Sequence, residues 1–243
     1  MHEFSRTERL IGTEKQQRLA DASIAVFGVG GVGSHCVEAL ARCGVGRLIL
    51  IDSDVVSLTN INRQSIAVHS TLGLSKVQVM KERIYDIHPG TKVDIFQTFV
   101  LPENLEALMT SIGPVDYLID AIDTVSAKLA IARFAHDKGL SLISSMGTGN
   151  KLHGELFEIT DISKTSVCPL CRVMRRELKK MGIGHLKVLY SKEPPITPIA
   201  ALGEDKTLPA GSLRPVPGSI SFVPPVAGLL IAGEAVRELL SLP

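Results

Sequence analysis

Over the first 150 residues, hydrophobic positions come in short runs separated by stretches of helical spacing. The run 23–27 (SIAVF) leads into glycines, and a second run, 47–51 (RLILI), ends at Asp52. Between them, HCVEALARCG carries alanine and leucine at helical spacing and stops at Gly44, a residue type suited to ending a helix. This order predicts strand, glycine turn, helix, strand. The alternation continues with a helix over 74–87, strand 92–97, helix 103–112, strand 117–122, helix 126–138 and strand 140–144. Strands alternating with helices predict an α/β fold: a Rossmann-like, mainly parallel sheet with helices on both faces. Ligands of such sheets bind beyond the carboxyl ends of the strands, where Asp52 and Asp123 fall.

After Gly149 the rhythm breaks. A strand within 151–159 and a helix over 170–181 are expected. The interval 193–225, which holds most of the chain's 13 prolines, reads as an irregular loop, because proline removes backbone donors. The apolar segment 220–240 is broken by Pro224, Pro225 and Glu234, so a buried helix is expected rather than a membrane span, with peripheral membrane association as the lesser alternative.

Composition adds boundaries. The chain is 45% hydrophobic and its 26 basic residues nearly balance 25 acidic ones, for a net charge of +1. That supports a well-buried core and gives no overall sign of a polyanion partner. The N-terminus is charged throughout and lacks a signal-peptide stretch, which points to a reducing cytoplasm and to thiols rather than disulfides for the four cysteines.

The glycines Gly28, Gly30, Gly31 and Gly33 allow a tight turn and close approach of phosphate to backbone, with a helix N-terminus behind them. Asp52 is placed to accept from ribose hydroxyls. The cations beyond the second strand, Arg63 and Lys76, distinguish ATP from a dinucleotide. A dehydrogenase does no chemistry on phosphorus, whereas adenylation must neutralise the approach of a carboxylate to the α-phosphate. Asp123 is a candidate Mg²⁺ ligand near the same phosphates. A nucleotide-sensing module would keep the glycines without needing the cations.

GVGGVG, DSDVVSLTNINRQ, GLSK and DAID together resemble the E1-like adenylating superfamily, over residues 1–150. The resemblance implies ribose binding by Asp52, a phosphate site around Asp54, Asn60, Arg63, Gln64 and Lys76, and metal binding by Asp123. Arg9, in RTER, matches an arginine that reaches the neighbouring subunit's triphosphate, which implies a homodimer. SRTERLIG, SSMGTGNKL, the run from EITDISKTS to MGI, and the closing segment extend the likeness to the tRNA threonylcarbamoyladenosine dehydratases over essentially the full chain. That implies one E1-like domain over 1–243, with a nucleotide core (1–150) and a substrate-side and dimerisation elaboration (151–243). It also implies ATP, Mg²⁺ and a tRNA substrate bearing threonylcarbamoyladenosine, with a sulfur-relay protein as a possible further partner.

The rival within the superfamily is activation of a ubiquitin-like sulfur carrier. Bacterial enzymes of that kind usually carry two CxxC pairs that bind zinc. Here there is one, Cys168 and Cys171, which supplies two of four tetrahedral ligands, so zinc is not expected. On a helix, Arg172, Arg175, Arg176, Lys179 and Lys180 share one face, while Leu170, Met174, Leu178 and Met181 line another. Periodicity alone serves a solvated face equally well; the resemblance directs the basic stripe toward a tRNA backbone.

Overall fold

The structure, a computed structural model, describes residues 1–199 and 217–243. Seven strands form one sheet: β1 (Ser23–Phe27), β2 (Arg47–Ile51), β3 (Lys92–Phe96), β4 (Tyr117–Asp120), β5 (Ser141–Ser145), β6 (Phe157–Asp161) and β7 (Lys187–Ser191). Their spatial order is 3-2-1-4-5-7-6. All neighbouring pairs are parallel except β6 with β7 at one edge. The order reverses between β1 and β4, and the crevice at that reversal opens at the strands' carboxyl ends.

Central strands buried on both faces need apolar residues at every position, and β1, β2 and β4 are almost wholly buried. One face is covered by α3 (Gly33–Arg42), α4 (Lys76–Ile87) and α8 (Val223–Leu239), whose buried residues join Ile24, Val26, Leu48 and Leu50 in one core. The other face carries α5 (Leu105–Ile112) and α6 (Val125–Lys138) over Ala25, Phe27, Ile49 and Ile51. Beside α6 lies α7 (Pro169–Lys180), whose Met174 and Leu178 pack near Val188 and Tyr190. Two short helices, α1 (Ser5–Ile11) and α2 (Thr13–Asp21), precede the sheet.

The alternating core follows the expected order. Three boundaries differ in ways that bear on the site. β4 ends at Asp120, not at 122, so Asp123 stands on the loop beyond it. The strand expected within 151–159 forms at Phe157–Asp161, after a short 3-10 turn. The irregular interval expected to reach 225 gives way to α8 at Val223, with Pro224 and Pro225 in its first turn, where a helix has no internal use for their missing N–H groups.

The middle of that interval lies outside the described residues, but Asn150 fixes both flanks. Its backbone carbonyl accepts from the Ile196 N–H at 2.8 Å, while its backbone N–H and side-chain oxygen bond Gly218 at 2.8 and 2.6 Å. Helix α8 is buried along Ala227, Ile231 and Ala235, as expected of the apolar segment. Among the described residues, no helix is long and apolar enough to cross a membrane.

Candidate active site

The turn after β1 is built where side chains cannot go. Gly28 has φ +90°, and a Cβ there would lie 2.7 Å from the Ala121 carbonyl oxygen. A Cβ on Gly33 would lie 1.8 Å from the Gly28 carbonyl oxygen, so Gly33 lets α3 close onto the turn rather than touch a ligand. Gly30 is open, with Gln64 as its nearest neighbour, and Gly31 sits against Pro224 of α8 and the Arg63 stem. The turn runs into the N-terminus of α3, where the Ser34 N–H bonds the Gly30 carbonyl at 2.9 Å and the Cys36 N–H bonds the Val32 carbonyl at 3.1 Å, and it is the turn residues Gly30, Gly31 and Val32 just ahead of that positive helix end that line the cleft.

A cleft of about 320 Å³ lies over this turn. It is lined by Gly28, Gly30 and Gly31, by Asp52, Asp54, Asn60, Arg63, Gln64 and Lys76, and by Asp123. The site residues expected from the glycine turn and its neighbours thus converge, with Gly33 behind the turn. Asp52 accepts from the Val29 N–H (2.6 Å) and the Asp54 N–H (2.9 Å), one bond on each oxygen, which leaves a lone pair on each. Lys76, only 5% exposed, places Nζ 2.7 Å from the more exposed Asp54 carboxylate. Arg63 donates to the Thr59 carbonyl and to Asn62, each at 2.9 Å. Its partial burial pulls the guanidinium below its ordinary pKa, though it stays protonated. A desolvated cation of this kind gains from an incoming anion.

Two of these residues owe their place to loop architecture. Asn60 is buried, and its side-chain oxygen accepts from the Ser57 N–H at 3.1 Å, folding the loop that presents Arg63. Gln64 is buried, and its Oε1 has no hydrogen-bond partner among the described residues. Helix α3 holds the same loop: Ser34 Oγ accepts from the Ser65 N–H at 3.1 Å, and His35 meets the Arg63 carbonyl at 3.1 Å.

Three features of the site were not anticipated from the sequence. Thr98, Phe99 and Val100, beyond β3, add an apolar ledge to the cleft. Lys128 on α6 lies fully buried against Asp120, with Nζ 2.9 Å from Oδ2 and 2.6 Å from the Ser145 carbonyl, while Ser144 donates to the same carboxylate. This network ties the ends of β4 and β5 together, and Asp120 also accepts from the Ile122 N–H at 3.1 Å, one residue before Asp123. Finally, a second cavity of about 390 Å³ adjoins the first and shares Val32, Arg63, Asp123 and Thr148 with it. It extends along the 145–149 loop to Lys151, Cys168 and Pro217.

Asp123 is exposed, and among the described residues no cation is bridged to it. Mg²⁺ commonly takes one or two carboxylates together with substrate phosphates and water, and a single free carboxylate at the cleft suits that mode. Among the described residues, no group of three or more His, Cys, Asp or Glu could hold a metal ion by itself.

Two expected contributors lie elsewhere. Arg9, exposed on α1, does not line the cleft. Phe4, which precedes α1, packs near Gly44 and edge-on against His88, at the ends of α3 and α4 away from the glycine turn. On α7, Arg172, Arg176, Lys179 and Lys180 are exposed as expected, with Arg176 and Lys180 paired to Glu177 at 2.7 and 2.8 Å. Arg175 departs from the stripe. Its guanidinium turns inward to the Thr165 carbonyl (2.9 Å) and hydroxyl, pinning the loop before α7.

The ThiF family matches residues 4–242. The chain belongs to that family. This ThiF-family chain is 42% identical to the tRNA threonylcarbamoyladenosine dehydratase of Bacillus subtilis (strain 168), covering 99% of this chain and 95% of that protein. It is also 42% identical to the Escherichia coli (strain K12) enzyme of the same name, over 72% of this chain and 65% of the other. The crystal structure of the E. coli dehydratase in complex with AMP superposes with a TM-score of 0.87 at 34% identity, covering 98% of this chain and 94% of that one. The ATP complex of the same enzyme gives 0.86 at 33% identity, with the same coverage. The family, the glycine turn and the cationic loop make this chain an E1-like adenylating enzyme.

Proposed function

We propose that this ThiF-family enzyme uses ATP to adenylate the threonyl carboxylate of N6-threonylcarbamoyladenosine at position 37 of tRNA, then closes that side chain into a ring with net loss of water. The observation that carries this reading is the pair of adjoining cavities that share Arg63 and Asp123. One is a nucleotide cleft with its phosphate end at the glycine turn. The other offers space for an acyl group beside those phosphates.

Asp52 accepts from ribose hydroxyls, and the phosphates lie against the glycine turn at the positive end of α3. Arg63 and Lys76 neutralise the triphosphate as the substrate carboxylate approaches from the second cavity. A carboxylate oxygen bonds to the α-phosphorus, the bond to the β-phosphate oxygen breaks, and pyrophosphate leaves. Asp123 would hold Mg²⁺, which when bound adds positive charge beside the leaving group. A group within the modified side chain then attacks the activated carbonyl and AMP departs with the oxygen that counts as the lost water. Intramolecular attack carries effective molarities of about 10⁵–10⁸ M, so this closure has no strict need of a protein nucleophile.

The exposed cations of α7 would track the tRNA backbone. In a homodimer, Arg9 of one copy would reach the other copy's phosphates. Its exposure and the seating of Phe4 away from this chain's own cleft support that role. The test is mass analysis of nucleosides from tRNA bearing threonylcarbamoyladenosine, incubated with the protein and ATP. ATP-dependent loss of one water from the modified adenosine is expected. An unchanged nucleoside, with ATP–pyrophosphate exchange appearing only when a small protein ending in Gly-Gly is added, would overturn the reading in favour of sulfur-carrier activation.

A further inference from the structure

We propose that Cys168 and Cys171 form a peroxide-oxidisable dithiol in the wall of the second cavity, a redox modification site separate from the adenylation chemistry. The geometry begins with CPLC at the start of α7. Cys168 is the N-cap, Pro169 opens the helix, and Cys168 Sγ accepts from the Cys171 backbone N–H at 3.5 Å. Partial positive charge at a helix N-terminus favours thiolate over thiol, and two intervening residues at such a terminus bring the sulfurs of a CxxC pair within bonding reach.

The surroundings act on the two sulfurs in opposite directions. The Cys171 thiol and the backbone N–H groups of Cys171, Leu170 and Gly147 pull Cys168 below the ordinary thiol value, against the opposing effect of its burial. The same hydrogen bond, with burial, pushes Cys171 up. Among the described residues, the charged groups facing the pair are mainly cationic. Lys151 is buried beside Cys168 with Nζ donating to the Glu193 carbonyl, and Arg175 lies near Cys171. The Glu193 carboxylate is occupied by the Leu152 and His153 N–H groups. Asp123 and Arg63 stand further along the same cavity. The remaining two cysteines behave differently. Cys36 is fully buried on α3 and Cys43 closes that helix, and burial pushes both up.

Cys168 and Lys151 line the cavity of about 390 Å³, which admits a small oxidant to a thiol that is otherwise covered. The thiolate sulfur attacks one peroxide oxygen, the O–O bond breaks, and hydroxide leaves with the electron pair to become water. Cys171 sulfur then attacks the resulting sulfenic acid, an S–S bond forms, and the S–O bond breaks with release of a second water. In balance, two thiols and one hydrogen peroxide give one disulfide and two waters. The disulfide replaces the thiolate that caps α7 with a neutral bridge in the cavity wall.

The test uses the full reduced chain. Alkylation by iodoacetamide across pH, read by peptide mass, is expected to modify Cys168 with a half-point below the ordinary thiol value of about 8.5, while Cys36 stays unmodified. Stoichiometric hydrogen peroxide is expected to remove two hydrogens from the intact mass, with the link mapped to Cys168 and Cys171 and reversed by dithiothreitol. In Cys171→Ser the expected product is a sulfenic acid at Cys168, trapped by dimedone. Equal alkylation of all four thiols, no loss of hydrogens, or a link between Cys36 and Cys43 or between chains would overturn the proposal. None of these three readouts involves nucleotide or RNA, so failure of the proposal is distinguishable from failure of the adenylation reading.

Discussion

At the scale of single residues, the site separates groups that serve chemistry from groups that hold them. Asp123 is exposed and, among the described residues, bonded only by its neighbour Thr124, so Asp123→Ala should abolish ATP–pyrophosphate exchange while the thermal midpoint stays unchanged. Retained exchange would remove Asp123 from the metal role. Lys128 is the opposite case, since it touches no substrate space and neutralises Asp120 in the core. Lys128→Met strands a buried carboxylate, and breaking such a pair costs about 3–5 kcal/mol, which urea unfolding would register. Gly28 was legible in the sequence because the missing Cβ is itself the signal. Lys128 was not, because a lysine on a helix looks like a surface residue until the strand ends beneath it are known. Arg175 misled for the same reason: helical spacing gives its angular position, and only the docking of Thr165 turns the side chain inward.

At the scale of elements, the alternating strands and helices were readable because central parallel strands are apolar at every position and the intervening helices keep their own period. The last parallel strand, β7, was missed. Its five residues, KVLYS, begin and end polar and lie between a glycine-rich stretch and the prolines, where periodicity is too short to register. It matters for α8, because Lys187 bonds Glu234 at 2.6 Å and Glu238 at 2.5 Å. Burial works against ionisation of Glu234, but Lys187 and Arg237 outweigh it and hold its carboxyl below the ordinary value. Its contribution to stability is therefore complete above the unfolded value of about 4.3 and is lost as pH falls through the lower folded value. A pH series of unfolding midpoints should show this acid loss in the parent chain and a reduced loss in Lys187→Met. For α7, charge reversal at Arg176 and Lys179 should weaken tRNA binding and flatten its salt dependence with ATP affinity unchanged. Arg175→Ala should instead lower thermal stability by freeing the Thr165 loop.

At the scale of the whole molecule, the proposal that a homodimer shares each site between its two copies can be tested by mixing. Arg9→Ala and Asp123→Ala chains should each be inactive alone. If Arg9 serves the partner's phosphates, random pairing in an equal mixture leaves one intact site in half of the dimers, and activity should return to about a quarter of the parent value. No recovery would place Arg9 outside the partner's site. Within one chain, distance along the sequence hides a further connection. A Cβ on Gly228 would lie 2.4 Å from the Val32 carbonyl oxygen, and Pro224 rests against Gly31. The final helix therefore touches the phosphate turn at two points one helical turn apart, and anything that stiffens the turn also stiffens a helix about 200 residues later in the sequence. Local opening of α8 then reports whether the cleft is filled: amide exchange around Ile231 should slow when nucleotide is added, and Gly228→Ala, which forces the two helices apart, should weaken nucleotide binding from outside the cleft.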